Sequence, residues 1–161
     1  MSDDESLKLE NQFCFRLYSL TKLMNRQYSP VLKKLGLTYS QYLVMLVLWE
    51  TNNTKASTSV KQLGEKLDLD SGTLSPLLKR LEKQNLVTRV RNKTDERSVE
   101  IKLTNVGCEL KIKAKDIPAE MFSVTGMSLE ALQLMNKQLD NLLMVMNKND
   151  INHTRILCPT E

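Results

Sequence analysis

Apolar residues near the start of the chain recur with a helical period. Their spacing is four, four, three and four residues, which places them on one face of an α-helix. They are Leu9, Phe13, Leu17, Leu20 and Met24. The pattern predicts a helix from Leu7 onward that Pro30 either ends or kinks, and Gly36 is a suitable stop in both cases.

A second helix is expected to form the centre of the core. Thr38 and Gln41 have the spacing of a capping box, in which each side chain bonds the backbone N–H of the other residue. Residues 42–49, which follow, are apolar on every side. A helix of that kind is buried all round.

Two shorter helices and a turn come next. Ser59 and Gln62 repeat the capping-box spacing, and residues 68–72 have the composition of a tight turn. After the turn, leucines fall on one helical face while polar and basic residues lie largely off it. Pro76 fits this helix only if the helix begins near Gly72. Two short helices joined in this way are typical of a helix-turn-helix.

The apolar period then changes from helical to alternating. Val99, Ile101 and Leu103 alternate with polar residues, which predicts a strand with one buried face, and residues 86–91 supply its partner strand. Residues 92–97 between them are expected to form a charged hairpin tip. This hairpin is the wing of a winged helix-turn-helix.

Helix is predicted again after Thr104, with a break at Ile117 and Pro118 and a last helix beyond the break. The last helix has an apolar seam close to a heptad pattern. The seam residues are Leu132, Met135, Leu139, Leu142, Leu143 and Met146. Residues 149–161 are expected to be a mobile tail.

These elements predict a mainly α-helical winged helix-turn-helix protein with a small β-hairpin wing. Its 161 residues, 41% hydrophobic and 26% charged, suit a single domain over 1–161. We expect about 55–103 to form the DNA-binding region, 7–36 and 104–147 a helical dimerisation region, and 148–161 a tail. The terminal helices equally fit a larger monomeric core, but a helix-turn-helix that reads two half-sites needs a dimer.

Composition disfavours an enzyme, a metalloprotein and a membrane protein. His153 is the only histidine and phosphate-loop and zinc-protease motifs are absent, so no cofactor is expected. The three cysteines, Cys14, Cys108 and Cys158, have no CxxC spacing and suggest neither a disulfide framework nor a zinc ribbon. No apolar run approaches the roughly 20 residues of a membrane span, and the acidic start lacks a signal peptide's basic region. A cytoplasmic protein without membrane contact is expected.

Basic residues concentrate between positions 79 and 93. That stretch has six lysines and arginines against Glu82, a net charge of +5 in a chain whose total is +4. A cluster of this density suits phosphate groups, although a charged helix face is more often a solvated surface. The order of capped helix, glycine turn, basic helix and charged hairpin favours double-stranded DNA. The second helix would enter the major groove and the wing would follow the backbone or the minor groove.

Cys14 has two interpretations, because a free cysteine is most often a small buried residue and a reactive one needs surroundings that stabilise the thiolate. Tyr18, four residues on, shares its helix face. Tyr28 shares the face too, but it lies about 21 Å along the axis, so only an antiparallel partner chain can bring it close. We expect Cys14 past the first turn, where the helix dipole contributes little and phenol hydroxyls must stabilise the thiolate.

Four segments of the chain resemble a known family. They are residues 9–15 (LENQFCF), 37–44 (LTYSQYLV), 69–80 (LDSGTLSPLLKR) and 95–98 (DERS). They are similar to the MarR family of dimeric winged-helix repressors, and in particular to its organic hydroperoxide regulator branch and the staphylococcal redox-sensing relatives. The resemblance extends over about residues 7–143.

The resemblance implies that Cys14 is a peroxide-sensing thiol contacted by Tyr18 and by the partner subunit's Tyr28. It also implies that the second helix of the helix-turn-helix and the wing contact a pseudo-palindromic operator, which oxidation releases. The residues assigned to DNA are Ser71, Thr73, Ser75, Lys79, Arg80, Lys83, Arg89, Arg91, Lys93, Asp95 and Arg97.

The positions of the cysteines in this chain differ from those in the two-cysteine members of the family. Its two-cysteine members carry the second cysteine in a region that reads Ile-Pro-Ala-Glu-Met-Phe here, at residues 117–122. Cys108 lies upstream of that region and Cys158 lies in the tail. We therefore expect oxidation of Cys14 to a sulfenic acid and capping by a small thiol. A disulfide with Cys108 or Cys158 stays an alternative.

The predicted function is a homodimeric transcriptional repressor that senses organic hydroperoxides or related oxidants and releases operator DNA on oxidation. One alternative keeps the fold but is switched by a small aromatic ligand in the cleft between the head and the dimer region. The other is a thiol peroxidase with Cys14 as nucleophile. Catalytic peroxide consumption would distinguish the peroxidase, and oxidant-independent DNA release would distinguish the ligand-switched repressor.

Overall fold

The structure is a computed structural model that describes residues 3–52, 58–91 and 99–156. Within these ranges the chain forms the predicted helices and hairpin strands, and a third strand makes the sheet three-stranded and antiparallel. The helices are α1 (Asp3–Ser6), α2 (Phe13–Lys34), α3 (Tyr39–Asn52), α4 (Val60–Leu67), α5 (Ser71–Lys83), α6 (Asn105–Ala114), α7 (Ile117–Val124) and α8 (Leu129–Ile156). The strands are β1 (Thr58–Ser59), β2 (Val87–Arg91) and β3 (Val99–Leu103).

The described residues fall into two compact units that divide after Pro118. The first unit contains α1 to α6 and the sheet, and the second consists of α8 and most of α7. The buried apolar residues, apart from Met121, and the predicted helix-turn-helix belong to the first unit.

The first long helix begins later than predicted. Leu9–Asn11 form a short 3-10 turn, and Gln12 adopts an extended conformation with φ −82° and ψ 116°. The side-chain amide of Gln12 donates to the carbonyl oxygens of Ser6 and Lys8, which holds the chain in this bend before α2 starts. The helix predicted from residue 7 is therefore wrong over its first six positions. Side-chain bonds to a preceding backbone compete with helix and leave no apolar signature in the sequence.

The other end of α2 follows the sequence closely. The helix passes through Pro30 without ending, and Gly36 closes the turn that follows with a left-handed φ of +70°. The amide of Gln84, the residue after α5, donates to the Gly36 carbonyl at 2.9 Å. The predicted stop at Gly36 is thus confirmed.

Helix α3 occupies the centre of the core. The Thr38 N–H donates to Gln41 Oε1 at 2.8 Å, and the Gln41 N–H lies 3.4 Å from Thr38 Oγ1, which is the predicted capping box. Leu46 is 39% exposed, so the expectation of burial on every side is wrong at that position, but the helix buries apolar side chains over most of its circumference. They are Tyr42, Val44, Met45, Val47, Leu48 and Trp49.

Helices α4 and α5 form the predicted helix-turn-helix. The Ser59 and Gln62 capping box is present, with bonds of 2.8 and 3.1 Å. Asp68 ends α4 in the left-handed conformation, and Asp70 caps the start of α5. The side chains that pack the two helices onto the core are fully buried leucines. They are Leu63, Leu74, Leu78 and Leu81.

The sheet has the order β1-β3-β2, with Val87 opposite Leu103 and Arg91 opposite Val99. The wing strands are as predicted, apart from one residue at the start of β2. Strand β1 was not predicted, because two residues are too few to show an alternating pattern. The wing tip predicted at 92–97, with Lys93, Asp95 and Arg97, lies outside the described residues.

Helix α8 runs beyond the predicted tail boundary. It continues to Ile156, so residues 149–156 of the predicted tail are helical, and their mobility stays a prediction. Residues 148–156 contain neither Gly nor Pro, and nothing in them interrupts a helix. Cys158 lies outside the described residues.

A close junction joins α3, α6 and the start of β2. The buried Trp49 Nε1–H donates to the Gly107 carbonyl at 2.8 Å. A Cβ atom on Gly107 would lie 2.1 Å from the carbonyl oxygen of Leu86, which itself accepts the Thr104 N–H. Helix α6 therefore approaches the backbone before β2 more closely than any residue with a side chain allows.

Candidate nucleic-acid interface and cysteine site

One face of α5 is polar, basic and exposed, while the opposite face carries the buried leucines. Ser75 is half-buried at the edge of this face. The exposed members of the face are Ser71, Thr73, Lys79, Arg80 and Lys83. Arg91 is also exposed, at the end of β2. The structure thus presents six of the eleven predicted DNA-contacting side chains to solvent.

The start of α5 is fixed by its cap. The Asp70 carboxylate accepts the Thr73 N–H at 2.9 Å and the Thr73 hydroxyl at 2.7 Å. Both bonds lower the pKa of Asp70 below its ordinary value of 3.8, and the bond from the Thr73 hydroxyl has the larger effect. A Cβ on Gly72 would lie 2.9 Å from Asp70 Oδ1, so glycine at this position leaves room for the cap.

Asp70→Ala is expected to lower the melting temperature at neutral pH. Folding lowers the pKa of Asp70, so its carboxylate stabilises the folded protein fully at any pH above the pKa of the unfolded state. This stabilisation is lost as the pH falls through the lower pKa of the folded state. The gap between the wild type and Asp70→Ala should therefore narrow as pH falls below 3.8. Thermal melts from pH 7 to pH 3 measure this, with Asp140→Ala as an exposed-carboxylate control. A gap that is constant over this range would contradict the cap.

Arg89 is turned toward α5 rather than toward solvent. Its Nη2 donates to the Ser75 carbonyl at 3.3 Å, and its Nε lies 3.3 Å from Glu82 Oε2. The Arg89 side chain is 28% exposed. The structure therefore does not place Arg89 with the exposed basic residues of α5.

Cys14 is the second residue of α2 and is exposed in the protomer. The expectation that it lies past the first turn is wrong, because the bend at Gln12 delays the start of the helix. The Tyr18 ring, one turn on, is exposed and has Lys22 Nζ 5.2 Å from its centroid. Cys14 thus sits at the positive end of the helix dipole, next to a phenol that shares its face.

Tyr28 belongs to an aromatic cluster between α2 and α3. Its ring centroid lies 4.9 Å from that of Tyr39 and 6.0 Å from that of Tyr42. Burial, and secondarily the neighbouring Tyr39, raise the pKa of Tyr28. The pairing with Tyr39 was not predicted, because it depends on how α2 and α3 pack and no spacing along the chain reveals it.

The remaining cysteines are apart from this site. Cys108 lies half-buried in α6, with Asn52 Nδ2 3.8 Å from its sulfur. Within the part of the chain that the structure describes, no group of His, Cys, Asp and Glu side chains is suited to hold a metal ion. Among the same residues, no helix has the length and apolarity needed to cross a membrane.

Large apolar side chains are exposed on the terminal helices of the protomer. On α2 they are Phe13, Phe15, Tyr18, Leu20 and Leu23. On α8 they are Leu129, Leu134, Met135, Leu139, Leu143, Met144, Val145 and Met146. Exposed apolar faces of this extent mark surfaces that bind a partner.

Known proteins resemble this chain over most of its length. A family model described as transcriptional regulator SarA/Rot matches residues 26–114. The organic hydroperoxide resistance transcriptional regulator of Bacillus subtilis (strain 168) is 47% identical over 146 residues, which is 91% of this chain and 97% of the relative. These relatives are regulators and not enzymes, as expected from the sequence.

Solved structures agree with this assignment. The structure of AbfR of Staphylococcus epidermidis has a TM-score of 0.70 and 33% identity, over 91% of this chain and 99% of that one. A structure of reduced AbfR bound to DNA has a TM-score of 0.69 and 35% identity, over 89% and 97% of the two chains. The chain belongs to the transcriptional regulators of the SarA/Rot family and is a relative of the organic hydroperoxide resistance transcriptional regulator of Bacillus subtilis.

Proposed function

We propose that this protein is a homodimeric repressor that binds operator DNA when Cys14 is reduced and releases it when Cys14 is oxidised by an organic hydroperoxide. The observation that carries the proposal is the exposed basic face of α5, in a fold shared with a relative whose reduced form is bound to DNA. The name of the Bacillus relative supports a hydroperoxide as the oxidant. DNA is the partner, so the cytoplasm is the expected location.

The DNA contacts follow from the position of α5. Its polar face would enter the major groove, where Ser71 and Thr73 at the helix start lie closest to base edges. Lys79, Arg80 and Lys83 would neutralise phosphates along the helix. We propose Arg91 and, in the predicted wing tip outside the described residues, Lys93 and Arg97 for the flanking backbone and the minor groove; Asp95 stays a prediction from the sequence, since its carboxylate would not bind phosphate. The winged helix-turn-helix of about residues 55–103 is thus the reading head.

Lys79→Ala tests this docking. We expect weaker operator binding and a slope of log K against log salt that is reduced by about one unit, because one phosphate contact is lost. Arg97→Ala should weaken binding more strongly, since an arginine in a narrow minor groove meets an enhanced negative potential. Gel shifts over a salt series measure both, with Lys137→Ala on α8 as the control. Unchanged affinity for Lys79→Ala and Arg97→Ala would contradict the docking.

Dimerisation would use the apolar surfaces of the terminal helices. A repressor that reads two half-sites about 34–36 Å apart needs two heads held by a two-fold interface. The exposed apolar side chains of α2 and α8 would supply the apolar centre of such an interface. We therefore propose residues 7–36 and 104–147 as the dimerisation region.

Deletion of residues 132–161 should yield monomer or aggregate. The deletion removes the α8 seam, and each large side chain that loses burial costs about 1.5–3 kcal/mol. Sedimentation or light scattering gives the oligomeric state, and deletion of residues 149–161 alone is the matched control, which should remain dimeric. A soluble and stable dimer from the longer deletion would show that the seam is misassigned.

The redox step would occur at the sulfur of Cys14. Cys14 lies in the first turn of α2, and its sulfur is exposed to reagent in the protomer. The thiolate attacks one oxygen of the hydroperoxide, an S–O bond forms, the O–O bond breaks, and an alcohol leaves after protonation by water. Sulfur is oxidised to sulfenic acid and the hydroperoxide is reduced.

A second step would enlarge the group attached to the Cys14 sulfur. A small thiol attacks the sulfenic sulfur, an S–S bond forms and water leaves. Tyr18 would contact the sulfur from the same helix, and the partner subunit's Tyr28 would approach it across the dimer. The added group has little room in a packed interface, so the two heads would shift and lose their spacing on the duplex.

A gel shift with the DNA upstream of the protein's own gene tests the whole proposal. The reduced protein should bind and cumene hydroperoxide should release it. Stoichiometric peroxide consumption would agree with a sensor, whereas sustained turnover would favour the peroxidase.

A further inference from the structure

We propose that Arg89 is a positioning residue, which sets the angle between the reading helix α5 and the wing through Glu82 and Ser75 and does not itself contact phosphate. This inference rests on the proposed DNA-binding function. It reverses the assignment of Arg89 as a DNA contact and gives a role to Glu82, the one acidic residue in the basic stretch.

The contacts of Arg89 span two turns of α5. Ser75 and Glu82 are seven residues apart, which places them on nearly the same stripe of the helix, about 10 Å from one another along its axis. Nη2 of Arg89 donates to the Ser75 carbonyl at 3.3 Å, and Nε lies 3.3 Å from Glu82 Oε2. One guanidinium therefore connects a strand of the wing to two positions of the reading helix that lie about two turns apart.

The position of Arg89 in β2 explains what these contacts fix. Side chains two residues apart share a face of a strand, so Val87, Arg89 and Arg91 lie on the same face. Along this face Val87 is buried, Arg89 is half-buried and Arg91 is exposed. Holding Arg89 against α5 thus fixes the place where the Arg91 cation emerges beside the basic face of that helix.

The charge of Glu82 leads to the same conclusion. A carboxylate on a DNA-reading helix repels phosphate, so Glu82 by itself weakens binding. The ion pair with Arg89 neutralises this charge and holds the guanidinium beside α5, where Nη2 donates to the Ser75 carbonyl while Nε faces Glu82 without a hydrogen bond. A lysine at position 89 would retain the charge but not this two-point geometry.

Two variants separate positioning from direct contact. Positioning predicts that Glu82→Gln and Arg89→Lys each weaken operator binding about tenfold, the size of a coupling within one contact network. The salt slope should stay at the wild-type value in both variants, because no phosphate contact is lost. Direct contact of Arg89 with phosphate predicts a different result for each variant. Glu82→Gln would bind the operator more tightly because a negative charge is removed, and Arg89→Lys would bind like the wild type.

The experiment is a fluorescence-anisotropy titration of operator DNA from low to high salt, with melting temperatures of every variant. Lys79→Gln is the control, since its slope should fall by about one unit. A partly exposed ion pair adds little to stability, so both variants should melt within a few degrees of the wild type.

The outcomes are distinct. Failure of the wild type to bind, or an unchanged slope for Lys79→Gln, would count against the proposed docking itself. With those controls in order, tighter binding by Glu82→Gln, wild-type binding by Arg89→Lys, or affinity losses that track a large fall in melting temperature would overturn the positioning role. Weaker binding by both variants at constant slope would support it.

Discussion

Cys14→Ser is expected to bind operator DNA as tightly as the wild type and to remain bound under an excess of organic hydroperoxide. Serine has nearly the same volume as cysteine, and Cys14 is exposed in the protomer, so the fold and the reading heads should be unchanged. A serine hydroxyl is not oxidised by peroxide, so no S–O or S–S bond can form at this position. On oxidation the wild type should bind the operator about 100-fold more weakly or worse. Each 1.4 kcal/mol of lost contact energy weakens the complex tenfold, and contacts are lost at both half-sites.

Gel shifts with a titration of cumene hydroperoxide measure the response, and mass spectrometry gives the mass added at Cys14. Cys108→Ser and Cys158→Ser are the matched controls. If the route uses one cysteine, both should still release DNA. Failure of either to respond would move the proposal to a disulfide between Cys14 and that cysteine. Release of the Cys14→Ser protein by peroxide would end the assignment of Cys14 as sensor.

Features encoded in neighbouring residues were predictable from the sequence. The capping boxes of Thr38 with Gln41 and Ser59 with Gln62 depend on residues three apart, and both are present. The leucine faces of α4 and α5 and the alternation along β3 were visible for the same reason, since burial imposes a period on the chain.

Features that depend on contacts distant in sequence were not predictable. The inward turn of Arg89 follows from the packing of β2 on α5, and the pairing of Tyr28 with Tyr39 follows from the packing of α2 on α3. The late start of α2 is a related case. It depends on hydrogen bonds from the Gln12 side chain to a preceding backbone, and it places Cys14 in the first turn of the helix.

Gly107→Ala is expected to destabilise the protein by about 3 kcal/mol, although alanine is the better helix former. In a helix without other contacts, this substitution would stabilise by about 1 kcal/mol. Here a Cβ would lie 2.1 Å from the Leu86 carbonyl oxygen, a backbone atom that cannot rotate away. Inserting a carbon into a packed site typically costs 1–3 kcal/mol, and the clash with backbone places this case at the upper end.

The clash also strains the two hydrogen bonds at the junction. The Leu86 carbonyl accepts the Thr104 N–H at 3.1 Å, and the Gly107 carbonyl accepts the buried Trp49 Nε1–H at 2.8 Å. To relieve the clash, α6 must move away from β2, and at least one of these bonds must lengthen. A buried indole N–H without its acceptor costs a further about 1–3 kcal/mol, so the helix has no inexpensive direction in which to move.

Urea unfolding followed by tryptophan fluorescence measures the change, because Trp49 is the only tryptophan and lies in the junction. Gly64→Ala provides a graded control, since its Cβ would lie 2.8 Å from the Leu69 carbonyl oxygen, and it should cost less than Gly107→Ala. If Gly107→Ala instead matched or exceeded the wild type in stability, helix propensity would outweigh the contact. The close approach of α6 to the backbone before β2 would then not be a constraint on the fold.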